Sequence, residues 1–282
     1  MIETISELAL LRERVLGWKQ AGLRVGFVPT MGNLHAGHQS LVRLAREHAD
    51  RVVASVFVNP TQFGPGEDYE RYPRTVEADM TALEEAGADA MWLPSVETMY
   101  PHGTQGVVEI RVPGVTAVLE GAHRPGHFDG VTTVVARLFN QVQADVAVFG
   151  RKDYQQLAVI RYMVRDLAFP IELVAAPIIR EADGLAMSSR NQYLSPSDRQ
   201  TAAAIHRSLQ DTREAVMAGM SLRAAEKDAA AQLAGAGFAV DYVAIHHPDL
   251  SAADADAAGP LVALAAARLG STRLIDNIEF ER

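Results

Sequence analysis

From the N-terminus to about residue 175 the chain repeats one pattern: a short apolar run followed by a longer stretch with helical spacing. Arg24–Val28 and Val52–Val58, rich in Val and Phe, read as buried strands. Ala90–Leu93, Val146–Phe149 and Ile171–Ala175 are shorter runs of the same kind. Between them Gln39–Ala49, Val76–Glu85, Thr132–Val142 and Tyr154–Leu167 carry helical periodicity. Strands alternating with helices predict an α/β fold, a mostly parallel sheet covered on both faces, because parallel neighbours need crossover connections. In such a sheet ligands bind beyond the carboxyl ends of the strands, so the loops after those strands are where chemistry is expected.

From about Pro177 the texture changes. Ser195-Pro-Ser-Asp198 joins a helix cap to proline at the first helical position and predicts one long alanine-rich helix. A second helix follows near Leu222–Ala234. Val240–His246, Leu261–Ala267 and Thr272–Glu279 then read as a small antiparallel sheet. The expected division is a parallel-sheet domain over residues 1–176 and a smaller α+β domain over 177–282.

Charge and composition remove several function classes. Lys plus Arg is 26 and Asp plus Glu 35, a net −9, which disfavours wrapping a nucleic-acid backbone but leaves room for one local anion pocket. There is no cysteine, so no thiolate nucleophile and no Cys-based zinc site. Met1–Leu11 is broken by Glu3 and Glu7, unlike a signal peptide, and no apolar run approaches the ~20 residues of a membrane span. The expected setting is cytoplasmic, without membrane or nucleic-acid partners.

The segment Val28-Pro-Thr-Met-Gly-Asn-Leu-His-Ala-Gly-His38 leaves a strand and opens a helix. It has neither the Lys-Ser/Thr of a P-loop nor the G-x-G-x-x-G spacing of a dinucleotide fold. His35 and His38 stand three apart, with Gly32 and Gly37 beside them, so both imidazoles project to one side of a helix start. Either histidine alone reads as a surface or helix-opening residue. Together at a helix N-terminus they form an anion pocket suited to a triphosphate. H-x-G-H at this position resembles the signature of nucleotidyltransferases and class I aminoacyl-tRNA synthetases. Met187-Ser-Ser-Arg190, following Arg180-Glu-Ala-Asp-Gly184, occupies the place of their phosphate-closing loop, with two hydroxyls and a guanidinium as donors.

Six blocks in order make the resemblance more specific: Pro29–His38, Phe57–Gly64, Arg71–Thr75, Arg124–Val131, Phe149–Gln156 and Arg180–Asn191. Together they resemble the pantoate–β-alanine ligase (pantothenate synthetase) family, from about Val28 to Leu194. The resemblance implies a Rossmann-like first domain, a C-terminal lid domain, a homodimer, ATP as substrate and Mg²⁺. It also implies an enzyme that joins pantoate to β-alanine through a pantoyl adenylate. Carried over residue by residue, it assigns nucleotide contacts to Met31, Gly32, Asn33, Leu34, His35, Ala36, Gly37 and His38. Gly150, Arg151, Lys152, Asp153, Ile179, Met187, Ser188, Ser189 and Arg190 complete that set. His38 is the implied catalytic residue, with His35, Lys152 and Arg190 spreading phosphate charge, while Asp153 suits the ribose hydroxyls.

The resemblance gives Gln62 to both pantoate and β-alanine, and Gln156 to pantoate. Val131, Val134 and Val135 recur at helical spacing and read as core; the family adds that they wall the dimethyl group of pantoate. Many family members carry Glu where this chain has Arg151, whose side chain is expected to point outward. Asp79 is read as a Mg²⁺ partner, directly or through water. His123 with His127, and His246 with His247, lack a third ligand at zinc spacing and read as structural. Two other readings share the H-x-G-H signal: a nucleotidyltransferase that keeps AMP on its product, and a non-catalytic ATP-binding or tRNA-associated module.

Overall fold

In a computed structural model, described for residues 2–64, 66–255 and 257–282, the chain runs β1 (Glu3–Ile5), α1 (Leu8–Gln20), β2 (Val25–Thr30), α2 (Ala36–His48), β3 (Arg51–Val56), α3 (Val76–Ala86), β4 (Ala90–Trp92) and α4 (Val96–Met99). It continues through α5 (Glu120–His123), α6 (His127–Val142), β5 (Val146–Gly150), α7 (Tyr154–Asp166) and β6 (Glu172–Ala176). The last part holds α8 (Pro196–Ala202), α9 (Ala204–Met217), α10 (Leu222–Gly235), β7 (Ala239–His246), β8 (Pro260–Leu269) and β9 (Thr272–Glu281). Met1, where the apolar N-terminal stretch begins, is outside the described residues.

The first six strands form one parallel sheet in the order β1-β4-β3-β2-β5-β6. The chain moves outward from β2 to β3 and β4, then returns to lay β5 on the other side of β2. That reversal makes β2 and β5 the topological switch point, where their two carboxyl-end loops diverge and leave a crevice. Val25, Phe27 and Val28 of β2, and Val146 to Val148 of β5, are fully buried, as strands covered on both faces must be. One apolar layer packs α1, α6 and α7 on the sheet, and a second packs α2 and α3 on its other face.

The smaller sheet, β7-β8-β9, is antiparallel, and α9 and α10 cover it. Leu119, Tyr154, Ala158, Leu250, Val262 and Leu264 form an apolar cluster that joins this sheet to the first part of the chain. Two differences from the sequence reading stand out. The edge strand β1 is only three residues long, too short for any period to register, and α1 follows it with Leu11 and Val15 buried. The single long helix expected after Ser195 is two, α8 and α9, parted at Ala203 where ψ opens to −13°. Its cap is as expected: Ser195 Oγ accepts from Asp198 N at 3.1 Å, with Pro196 at the first position. No helix among the described residues is long and apolar enough to cross a membrane.

Candidate active site

The loop after β2 is shaped by Gly32 and Asp79. Gly32 has φ +82°, and a Cβ there would meet Asp79 Oδ2 at 2.9 Å and Val56 Cγ1 at 3.0 Å. Asp79 is almost fully buried, accepting from Asn33 N at 3.1 Å, Leu34 N at 2.8 Å and Thr75 Oγ1 at 3.2 Å. Its oxygens are committed to backbone donors, and it braces the loop from behind. Among the described residues no cluster of three His, Cys, Asp or Glu is placed to hold a metal ion.

The histidine pair itself caps α2. His35 Nδ1 accepts from Gly37 N at 3.1 Å, and His38 Nδ1 accepts from His35 N at 3.3 Å, with the ring centroids 4.1 Å apart. A backbone N–H can only donate, so both rings are neutral and carry their proton on Nε2. Burial, then the charge of Lys152, lowers the His35 pKa to about 4. Burial, then His35 and Lys152, lowers that of His38 to about 3. Gly37 is a necessity of the cap, since a Cβ would lie 2.8 Å from the His35 ring.

Both histidines line a cavity of about 240 Å³ shared with Met31, Gln62, Gly150, Lys152, Asp153, Gln156, Ile179 and the segment Met187–Arg190. Val131, Val134 and Val135 form its apolar wall, on the face α6 turns toward the sheet, together with Leu138 and Phe57. Gly32, Asn33, Leu34 and Ala36 stand outside the lining. Arg151, which the resemblance also assigns a nucleotide contact, lines neither cavity; its side chain points outward, as expected, to Glu279 of β9 at 2.6 Å. A second cavity of about 450 Å³ adjoins the first, sharing Lys152, Asp153, Gln156, Ser188 and Arg190, and opens against β8 and β9.

Met187–Arg190 hangs from a tight turn. Arg180 and Ala186 pair antiparallel, Gly184 supplies φ +93°, and Met187 N donates to Ile179 O at 2.9 Å. Ser189 Oγ donates to Asn33 O at 3.1 Å, fastening this segment to the loop after β2. The segment is therefore seated on the site, with Arg190 held by Asp68 through two bonds of 3.1 and 2.9 Å and lying over the Tyr72 ring.

Several residues acquire roles that the sequence reading did not name. Asn59 Nδ2 donates to Gln62 Oε1 at 3.2 Å and to Gly130 O at 3.2 Å, while its Oδ1 accepts from Tyr100 OH at 2.6 Å. With its oxygen so occupied, Gln62 turns its NH₂ toward Met31 Sδ, at 3.0 Å, and the cavity. His127 supports the same loop: Arg124 donates to its Nε2 at 2.9 Å, so its Nδ1–H donates to Gln62 O at 2.8 Å. Arg124 is fixed in turn by Glu67, and burial followed by Arg124's charge lowers the His127 pKa to about 4. Asn59, Arg124 and His127 sit inside the quoted sequence blocks, so position signalled them, but no local pattern tells that they meet at Gln62.

The family model described as pantoate-beta-alanine ligase matches residues 3–279. A pantothenate synthetase of Xanthomonas campestris pv. campestris (strain B100) is 65% identical over 284 residues, covering 99% of this chain and 100% of that protein. One from Stenotrophomonas maltophilia (strain K279a) is 63% identical over 280 residues, 99% and 100% of the two chains. The crystal structure of pantothenate synthetase from Thermus thermophilus superposes with a TM-score of 0.90 at 50% identity, over 98% of this chain and 99% of that one. A Francisella tularensis pantoate-beta-alanine ligase, complexed with beta-gamma ATP and beta-alanine, gives 0.83 at 30% identity, over 99% and 97%. With matches of this extent, the chain belongs to the pantoate–β-alanine ligase family.

Proposed function

We propose that the two adjoining cavities run the ligase reaction as two half-reactions on one bound nucleotide. The pantoate carboxylate attacks the α-phosphorus of ATP, forming the carboxylate–phosphate bond and expelling pyrophosphate. The amine of β-alanine then attacks the acyl carbon of pantoyl adenylate; the C–O bond breaks, AMP leaves and the amine sheds a proton. The carrying observation is the histidine pair. Both rings are held neutral by backbone caps, with Nε2–H donors at a helix N-terminus beside Lys152. Donors of fixed direction aimed at developing phosphate charge need no reorganisation when the charge appears.

In this reading Lys152, Ser188, Ser189 and Arg190 complete the phosphate contacts, and Asp153 accepts from the ribose. The Gln62 amide donates to the acceptor substrates without neutralising the attacking carboxylate. Gln156 holds pantoate, whose methyl groups rest on Val131, Val134 and Val135. Residues 177–282 act as the lid that keeps water from the mixed anhydride. Mg²⁺ enters as MgATP, the nucleotide substrate, because Asp79 is committed to backbone bonds. A cytoplasmic homodimer completes the proposal, on the strength of the family resemblance.

Isotope transfer tests the route. With pantoate labelled by ¹⁸O in its carboxylate, one label should appear in the phosphate of AMP when β-alanine is present, alongside pantothenate. Label in inorganic phosphate or pyrophosphate would rule out the adenylate. AMP still attached to the acceptor as the end product, with β-alanine in excess, would favour the nucleotidyltransferase reading.

A further inference from the structure

Three cations lining the cleft are each met by a carboxylate. Arg124 holds Glu67 at 2.8 and 2.7 Å, Arg190 holds Asp68 at 3.1 and 2.9 Å, and Lys152 Nζ lies 3.8 Å from Asp153. Glu67 and Asp68 are neighbours on one loop, yet their partners do different work. Arg124 turns inward to His127 and so to the Gln62 loop. Arg190 belongs to the Ser-Ser-Arg segment, which is tied to the loop after β2 through Ser189 and Asn33. Tyr193 OH also donates to Arg71 O at 3.4 Å, so the loop bearing Asp68 and the segment bearing Arg190 are joined twice.

Asp68 uses Nε and Nη2 of Arg190, the edge a guanidinium offers to a two-oxygen anion. A phosphate group presents the same pair of oxygens with more charge. Resting on the adenylating reading of the site, we propose that Asp68 is an internal stand-in for phosphate: it holds Arg190 at the cleft until the triphosphate takes the guanidinium from it. The exchange works in both directions. Bound triphosphate places like charge against Asp68, whose side chain is 18% exposed, and drives the acidic loop off. When pyrophosphate is ready to leave, Asp68 recaptures Arg190 and lowers the affinity that would retain the product. Asp68 is thus a positioning residue whose pairing diminishes apparent ATP affinity, because the competent state is only a fraction of the free enzyme.

The sign of the effect makes the test sharp. Asp68→Asn keeps the shape of the side chain but loses its charge, so ATP should bind about three- to tenfold tighter. A residue that merely supports the fold cannot tighten a ligand when it is damaged. Calorimetry with a non-hydrolysable ATP analogue and Mg²⁺ gives the comparison, on the full-length enzyme with circular dichroism as the check on folding. Asp68→Ser serves if the Asn variant is unstable. Glu67→Gln removes the same charge one residue away and should not tighten the analogue, and in an Arg190→Ala background the Asp68→Asn gain should vanish. Failure of the wild type to bind the analogue at all would sink the reading of the site. Binding by the wild type with no tightening in Asp68→Asn, equal tightening in Glu67→Gln, or a gain that survives Arg190→Ala would overturn the role of Asp68 alone.

Discussion

Gly130→Ala should cripple the use of pantoate and β-alanine while leaving nucleotide binding and the fold nearly intact. Gly130 lies within α6, where the turn Pro60–Gln62 rests on it. An added Cβ would stand 2.5 Å from Thr61 O and 2.7 Å from Gln62 Cα, against 3.4–4 Å for ordinary contact. The turn must therefore retreat by nearly 1 Å, or the helix must. Alanine gains about 1 kcal/mol of helix propensity over glycine, and overpacking of this kind costs about 1–3 kcal/mol. The net loss of about 0–2 kcal/mol lowers the melting temperature by a few degrees at most for a chain of this size. Activity is more sensitive, since displacing a positioning group by about 1 Å costs on the order of 10²-fold. Steady-state AMP release should show kcat/KM for pantoate and β-alanine reduced by about that factor. Calorimetry should show the ATP analogue bound within about threefold of wild type. Gly17→Ala is the control: Gly17 sits in α1 with nothing within 4 Å of the added carbon, so that variant gains stability and keeps its activity. A folded Gly130→Ala enzyme with wild-type kcat/KM, or with equal losses for ATP and pantoate, would show that the contact of Gly130 with the Pro60–Gln62 turn does not position the acceptor substrates.

His38→Ala removes both the acceptor that caps His35 N and the Nε2–H donor, and should slow pyrophosphate formation by about 10²–10⁴-fold. His38→Gln, whose amide can accept and donate at once, should recover part of that loss; near-normal turnover in the alanine variant would show that the ring is not needed. Acid should destabilise the enzyme well above the carboxylate range. His35, His38 and His127 have native pKa values lowered to about 4, 3 and 4 from 6.5, so between pH 6.5 and 4 the unfolded chain binds protons that the native chain refuses. Stability is full above 6.5 and falls with pH through that window, each histidine contributing at most about 1.4 kcal/mol per pH unit. Urea midpoints measured from pH 7 to 5 should drop, and a flat profile, or ring protons of these histidines titrating near 6.5 by NMR, would contradict the caps.

The parallel sheet was legible because its strands are buried on both faces and its helices are amphipathic, two periods that survive in any local window. Strand β1 was not, since three residues carry no period. Nor was the break at Ala203, which has no side-chain signature in an alanine-rich run. The histidine pair was legible for a related reason: residues three apart at a helix start must share a side, whatever the rest of the chain does. Asp79 shows the limit. On α3 it reads as a Mg²⁺ partner, and only the fold reveals that the loop after β2 lays two backbone N–H groups on it. The support of Gln62 was hidden in the same way, because Asn59, Gly130 and His127 converge from separate elements and no local pattern records a contact made across α6 and the turn.

That hidden layer explains how a chain of net charge −9 can be built for a triphosphate. A pocket of uncompensated lysines and arginines would bind the nucleotide and both of its anionic products alike, and binding energy spent equally on every state accelerates nothing. Here the donors nearest the strand ends are neutral imidazoles whose protons are fixed on Nε2 by backbone caps, reinforced by the N-terminus of α2. The full cations arrive already matched, Arg190 by Asp68 and Arg124 by Glu67. On the proposed reading, phosphate competes with Asp68 for Arg190 and does so best when its own charge is greatest. In that reading the site favours the moment of charge build-up over the bound ground state, within a chain of net charge −9.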